Sequence, residues 1–230
     1  MYATLSLKRL LALLLPLPIF ATVIYLMIEG LPQNTRDAWV LASKVAAYST
    51  LALVVLGGPS GRLAPWRLIW RLLPFLNRWV FPDLNGRWEG DTNSNWPVIK
   101  AMLDIYEERA GTERQGGLDS IGLQRDAMTA TITASFFRFR IEANLSSTDS
   151  ASHSVSARLC YDEHLERFEL FYIYTQDTPE PVRTDESAHL GAARLILNMT
   201  TPWTLEGEYW TKRSWRSGLN TAGRLELKRV

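Results

Sequence analysis

Tyr209, Thr211 and Arg213 fall at every second position of "GEYWTKR" near the C-terminus. In an extended chain that spacing puts all three on one face. Together they offer an aromatic ring, a hydroxyl and a guanidinium, a set that holds a polar guest by stacking and hydrogen bonds. The opposite row, Glu208, Trp210 and Lys212, is no better suited to a core. This row therefore departs from the ordinary expectation that a polar row is the solvated side of its strand. "NGRWEGDTNSNW" at 85–96 raises the same question, because it alternates like a strand while Trp88 and Trp96 stand among Asn, Ser, Thr, Asp and Gly.

Catalytic patterns are weaker. The histidines His153, His164 and His189 have no zinc spacing, there is no Gly-rich phosphate loop, and Cys160 has no nearby basic motif to activate it. His189 in "AHLG" reads as a turn or core histidine. The chain therefore reads as a non-enzyme, and no cofactor is expected. A net charge of +1 argues against bulk electrostatic binding to nucleic acid, so a nucleotide-like ligand needs local contacts. A single cysteine cannot form an intrachain disulfide, which fits a reducing compartment.

The elements that must position these groups begin at Asp83, where the hydrophobic period changes from helical to mostly two. "GRWEGDTNS", "MTATIT", "FRFRIEANL", "SHSVSARL", "RFELFYIYT", "ARLILNMT", "TLEGEYWTKR" and "GRLELKRV" are strand candidates separated by turn formers. "PVIKAMLDIYEERAG" is the exception, with Val98, Met102, Ile105 and Arg109 on one helical face and Gly111 as the stop. Short strands with one inserted helix suggest an all-β, roughly eight-stranded antiparallel barrel, lipocalin-like, able to hold one small ligand; a sandwich is the alternative. Thr129, Thr131 and Thr133 share a face, and Arg138, Arg140, Glu142 and Asn144 lie opposite Phe137, Phe139, Ile141, Ala143 and Leu145. Each polar row has two readings, a barrel interior built for a polar guest or the solvated outside.

Upstream, residues 10–28 carry no charge and 39–57 are interrupted only by Lys44. Both runs approach the length that crosses about 30 Å of hydrocarbon as a helix. We read them as two transmembrane helices, with Lys44 snorkelling to the interface and a helix–helix or functional role as its alternative. A signal peptide competes for the first run, which is longer than a usual signal core and lacks a small-x-small cleavage site. Lys8 and Arg9 precede the first span, and Arg62, Arg67, Arg71 and Arg78 follow the second, so both termini are expected in the cytoplasm. After the second span "RLAPWRLIWRLLPFLNRW" sets Trp66, Trp70 and Trp79 with Arg67, Arg71 and Arg78, suiting the headgroup layer; a connector helix packed on the soluble domain is the alternative. The expected organisation is 1–60 membrane helices, 61–82 amphipathic juxtamembrane linker and 83–230 ligand-binding barrel.

The order of these pieces resembles the bacterial CBASS antiphage effectors that join two transmembrane helices to a cyclic-nucleotide-binding β-barrel. The residues that carry the resemblance are "LNGRWEGDTNSNW", "AHLGAARL", "LEGEYWTKR" and "AGRLEL". Its most specific elements are Gly86, Trp88 and Gly90, the Ser-Asn-Trp at 94–96, and Gly207, Tyr209, Thr211 and Arg213. After Arg213, "SWRSGLNTAG" is a longer hairpin loop than the family pattern, which bears on the barrel mouth.

The resemblance implies a receptor for a cyclic dinucleotide made by a partner cyclic-nucleotide synthase after phage infection. Binding would promote oligomerisation, and the assembled helices would disrupt the inner membrane and kill the cell. Such a ligand needs a guanidinium or neutral donors for its phosphates and aromatic faces for its bases. Arg213 and Thr211 are candidates for the first role, Tyr209 and Tyr172 for the second. Ser94 and Asn95 would read base edges or cap the barrel, and Arg140 is a further candidate contact. A different class of reading is a membrane-tethered barrel that carries lipid or another apolar ligand, in which the row at Tyr209, Thr211 and Arg213 would face out.

Overall fold

The structure is a computed structural model of the 230-residue chain, and residues 15–58, 64–107, 118–135, 138–147, 150–181 and 184–230 are described. The expectations placed on Lys8, Arg9, Arg62, Arg109, Gly111 and Phe137, and on the first part of the 10–28 run, lie outside the described residues. The chain divides into two compact units, Met1–Asn85 with Thr133–Arg138, and Gly86–Ile132 with Phe139–Val230.

In the second unit the strands are β1 (Gly86–Ser94), β2 (Gln124–Ala134), β3 (Phe139–Leu145), β4 (Ala151–Asp162), β5 (Arg167–Asp177), β6 (Ala188–Asn198), β7 (Thr204–Thr211) and β8 (Ala222–Arg229). They form a closed barrel in sequence order, each strand hydrogen-bonded to its neighbours and β1 to β8. The expected eight-stranded barrel is therefore present. β1 registers Gly90 against Met128 of β2 and against Leu227 of β8. Alternation fixes two faces. Trp88, Ile132, Leu170, Leu195, Leu205 and Leu227 are buried inside, whereas Arg87, Glu89, Asp91, Thr131, Glu208 and Trp210 are not. A bulge between Ser154 and Ser156 interrupts the β4–β5 register, a local irregularity that bends a strand around a barrel wall.

The inserted helix runs Trp96–Glu107. Asn95 sets its start: its backbone N–H donates to the Ala222 carbonyl at 3.0 Å and its carbonyl accepts from Val98 and Ile99. That clasp fixes the helix rotation so that Ile99 and Ala101 are buried, while Met102 and Ile105, expected to share the core face with Val98, are exposed.

The first unit contains α1 (Pro16–Glu29), α2 (Thr35–Gly57), α3 (Pro65–Leu72) and α4 (Leu76–Trp79). Thr35–Val55 is long and apolar enough to cross a membrane; α1 is a shorter apolar helix of 14 residues. Asn34 caps α2 by accepting the Asp37 N–H at 2.9 Å. Lys44 does not simply extend to solvent: its Nζ lies 3.5 Å from Glu29 at the end of α1 and 5.0 Å from the Tyr25 ring, so one stem joins the two helices.

The segment 62–79 is only partly what its pattern suggested. Trp66 and Trp70 are buried together with Phe81, at ring separations of 5.4 Å for the two indoles and 5.1 Å for Trp70 and Phe81. Trp70 Nε1 donates to the Phe81 carbonyl at 2.8 Å, and buried Arg67 pairs with Asp83 at 2.7 Å. These three side chains, expected at headgroups, instead close a small core around 81–83. Leu72, Phe75, Trp79, Arg71 and Arg78 are left exposed, and the helix stops before Pro74, as the residue preceding a proline disfavours helical geometry.

Candidate functional site

Along several barrel walls the inward row changes character toward one end. β5 passes from Phe168 and Leu170 to Tyr172, Tyr174 and Gln176; β7 from Leu205 to Tyr209 and Thr211; β2 from Ile132 and Ala130 to Asp126 and Gln124. The polar ends surround a cavity of about 210 Å³. This answers the puzzle of the polar first strand, because Thr92 and Ser94 line that cavity while Trp88, on the same row, fills the apolar floor.

Two glycines make room for the aromatic lining. Gly191 registers against Tyr174 and Gly223 against Tyr209. A Cβ at 191 would overlap the Tyr174 ring, and one at 223 would collide with the Asn93 carbonyl and lie 3.0 Å from Tyr209 Cε1. Burial pushes the phenols of Tyr172 and Tyr174 up, and that of Tyr209 as well. All three therefore stay neutral. Tyr172 and Tyr174 lie 5.6 Å apart between centroids, and the Tyr209 hydroxyl bonds Ser94.

Arg213 lies at the mouth. Its guanidinium sits 4.6 Å from the Trp96 ring centroid, and Nε is 3.5 Å from Asp185 Oδ1, an ion pair rather than a hydrogen bond. The side chain is 16% exposed, and Nε has no hydrogen-bond partner among the described residues. The next residue, Ser214, adopts φ 40° and ψ 44°, a left-handed conformation uncommon outside glycine. Its N–H donates to Glu186 at 3.1 Å, which ties the β7–β8 loop to the β5–β6 loop beside the ion pair.

His189 also lines the cavity, 6% exposed, with Nδ1 lacking a hydrogen-bond partner among the described residues. Burial holds it below the usual histidine range against the opposing field of Asp185, so the imidazole is neutral. Among the described residues the lining carries two carboxylates, Asp126 and Asp185, against one guanidinium. Among the described residues no group of three or more His, Cys, Asp or Glu side chains could hold a metal.

Residues 116–229 match the family described as "Cap15, cyclic dinucleotide receptor domain". This segment is similar to that receptor-domain family. The chain is also 27% identical over 186 residues to CD-NTase-associated protein 15 of Escherichia albertii, covering 81% of this chain and 80% of the relative. The family is a receptor domain, not a catalytic one. Within the matched segment of the receptor domain stand Asp126, Tyr172, Tyr174, His189, Tyr209 and Arg213; Ser94 and Trp96 precede it.

Of the residues singled out from the sequence, Arg213, Thr211, Tyr209, Tyr172 and Ser94 line the barrel cavity. The Thr211 hydroxyl is shared with Thr221, 3.0 Å away, which joins the ends of the β7–β8 loop. Asn95 is not in the lining; its Oδ1 accepts the Ala222 N–H at 2.9 Å, so it holds β1 to β8. Arg140 is not in the lining either: it stands on the outer face, 65% exposed, paired with Glu142 at 2.9 Å. Strand alternation puts Ile141 and Ala143 inside, so the Arg138–Asn144 row is the solvated one. Sequence reasoning missed Gln124, Asp126, Tyr174 and His189. A signal for the first two was present, because extending the period of "MTATIT" back through "QRDA" puts them in the row of Met128 and Ala130.

Proposed function

We propose that the barrel is the cytosolic receptor for a cyclic dinucleotide made by a partner cyclic-nucleotide synthase after phage infection, and that the chain is the effector which executes the response. The observation that carries this reading is Arg213: a guanidinium seated on an indole, its Nε without a hydrogen-bond partner among the described residues, at the mouth of a cavity lined by tyrosines and hydroxyls. A phosphate completes such a guanidinium by charge-assisted hydrogen bonds, and neutral phenols and aromatic faces suit bases. A carrier of apolar ligands would use an aliphatic lining, which the polar end of this cavity does not offer.

Binding in a monomer cannot by itself open a bilayer. The ligand must therefore favour an assembled state, and that assembly must in turn tighten ligand binding. In this reading α1 and α2 are a spanning pair in the inner membrane with both termini in the cytoplasm. The exposed face of Leu72, Phe75 and Trp79 with Arg71 and Arg78 lies at the lipid headgroups. Self-association of the helices then disrupts the membrane and kills the cell.

The test is calorimetry on the full-length protein and its Arg213→Ala variant across several cyclic dinucleotides. The variant should fold normally and bind at least tenfold more weakly, since a charge-assisted hydrogen bond is worth about 1.5–3 kcal/mol. Absence of binding to any of them would reject the receptor reading; equal binding by both proteins would reject the role of Arg213. Cells carrying the variant should survive signalling that kills the parent.

A further inference from the structure

Asp126 sits oddly in a cavity meant for an anion. It faces inward from β2, and no cation among the described residues lies within ion-pair distance of it. Its Oδ2 accepts from Gln124 Nε2 at 2.8 Å. That bond uses one of the two amide donors of Gln124 and holds the carboxylate in place. Asp126 and Gln124 are two apart on one strand and both line the cavity. What Asp126 presents to a guest is a pair of carboxylate oxygens, acceptors only when ionised.

A carboxylate beside a phosphate is repulsive, so a cyclic dinucleotide cannot set its phosphates here. Around the closed wall Asp126 on β2 is three strand steps from the end of β7 that leads to Arg213, about 14 Å at roughly 4.8 Å per step. The ligand is thereby polarised: phosphate toward Arg213, base edge toward Asp126. We propose that Asp126, oriented by Gln124, is the base-selecting residue of the cavity and that it selects guanine. This assignment rests on the cyclic dinucleotide reading of the site.

The reason lies in the order of donors along each base edge. Guanine offers two neighbouring donors, N1–H and the N2 amino group, which match the two oxygens of a carboxylate as a bidentate pair. Adenine sets its amino donor beside the N1 lone pair, which a carboxylate repels. Cytosine does the same with N3. Uracil has a single N3–H between two carbonyls. A buried polar group built for two donors rejects a base that offers one, because the other oxygen is left desolvated and unpaired.

Calorimetry on the full-length chain in detergent micelles, with cyclic di-GMP, cyclic di-AMP and cyclic di-UMP as probes, tests this. The unmodified protein should bind the guanine compound roughly tenfold to a hundredfold more tightly than the other two, the usual worth of a bidentate base contact. Asp126→Asn, which replaces one acceptor with a donor at constant shape, should abolish most of that preference by weakening the guanine compound, while adenine binding stays equal or tightens because the amide donor meets the N1 lone pair. Binding of cyclic dinucleotides without a guanine preference, or an equal loss for all three in the variant, would overturn the assignment and leave the receptor reading standing. No binding of any cyclic dinucleotide would overturn the receptor reading and this assignment with it. The base preference of the unmodified chain keeps the test decisive should the variant fail to fold.

Discussion

Asp185→Asn should make the protein less stable and a better receptor at once. In the free protein the Asp185 carboxylate lies 3.5 Å from Arg213 Nε, with the two side chains 11% and 16% exposed. Removing that charge leaves a half-buried guanidinium without its pair and should cost about 1–3 kcal/mol of stability. The effect on binding has the opposite sign. A ligand phosphate that approaches Arg213 must come near Asp185 as well; two like charges about 6 Å apart at an effective dielectric of about 40 repel by roughly 1.4 kcal/mol. Relief of that repulsion corresponds to about tenfold tighter binding, and the gain should shrink as salt is raised, because screening had already weakened the competitor. Thermal unfolding without ligand and calorimetry with it, at low and high salt, read both quantities. If Asp185→Asn binds its cyclic dinucleotide no better than the parent, then Asp185 is not the competitor for Arg213, and the phosphate lies elsewhere in the cavity.

Two further outcomes follow from charged groups on the barrel. Glu169 is 4% exposed on the outer wall, with Arg194 and Arg167 at 2.8 and 2.7 Å, and the Arg194 hydrogen bond, aided by Arg167, holds its carboxyl below its ordinary 4.5. Its stabilisation is complete above that value and fades as pH falls through the lower folded-state value; Glu169→Gln should cost about 1.5–3 kcal/mol in urea unfolding at neutral pH, less at acid pH where the parent has lost the same interaction. His189 is held neutral by burial in the free protein. A phosphate beside it would raise its pKa, so ligand binding should take up a proton and tighten as pH falls from about 8 to about 6, a dependence that His189→Gln removes; calorimetry in buffers of different ionisation enthalpy counts that proton.

The barrel was legible because its walls alternate and its turns are marked, and because Leu195, Leu205 and Leu225 need an inside. The site was legible only where both rows of a strand looked wrong for a core. Tyr209, Thr211 and Arg213 stand opposite Glu208, Trp210 and Lys212, so the row with the larger polar groups was a fair choice for the interior. Arg140 illustrates the opposite case: a polar cavity makes an inward polar row and an outward one look alike, and only the pairing of Ile141 with the core settles the matter. Asp126 and Gln124 escaped because "LQRDA" has the composition of a loop, and strand pairing of Ser94 with Gln124 extends β2 through it. Trp66 and Trp70 show the same limit for helices. Indoles beside arginines suit either lipid headgroups or a small core, and the choice was made by Phe81 and by Asp83, the ion-pair partner of Arg67, residues that lie beyond the helix itself.

Closure of the sheet has a consequence for how copies of this chain can meet. With β1 bonded to both β2 and β8, the wall leaves no strand edge on which a second molecule could template another strand. Joining barrels through backbone hydrogen bonds would require opening the cylinder first, at the cost of the apolar floor beneath Trp88. Whatever brings copies together must therefore act through side chains, and each copy enters and leaves with its fold whole. Association of that kind would leave the strand ladder intact, which separates it from the strand exchange that leads to cross-β fibres.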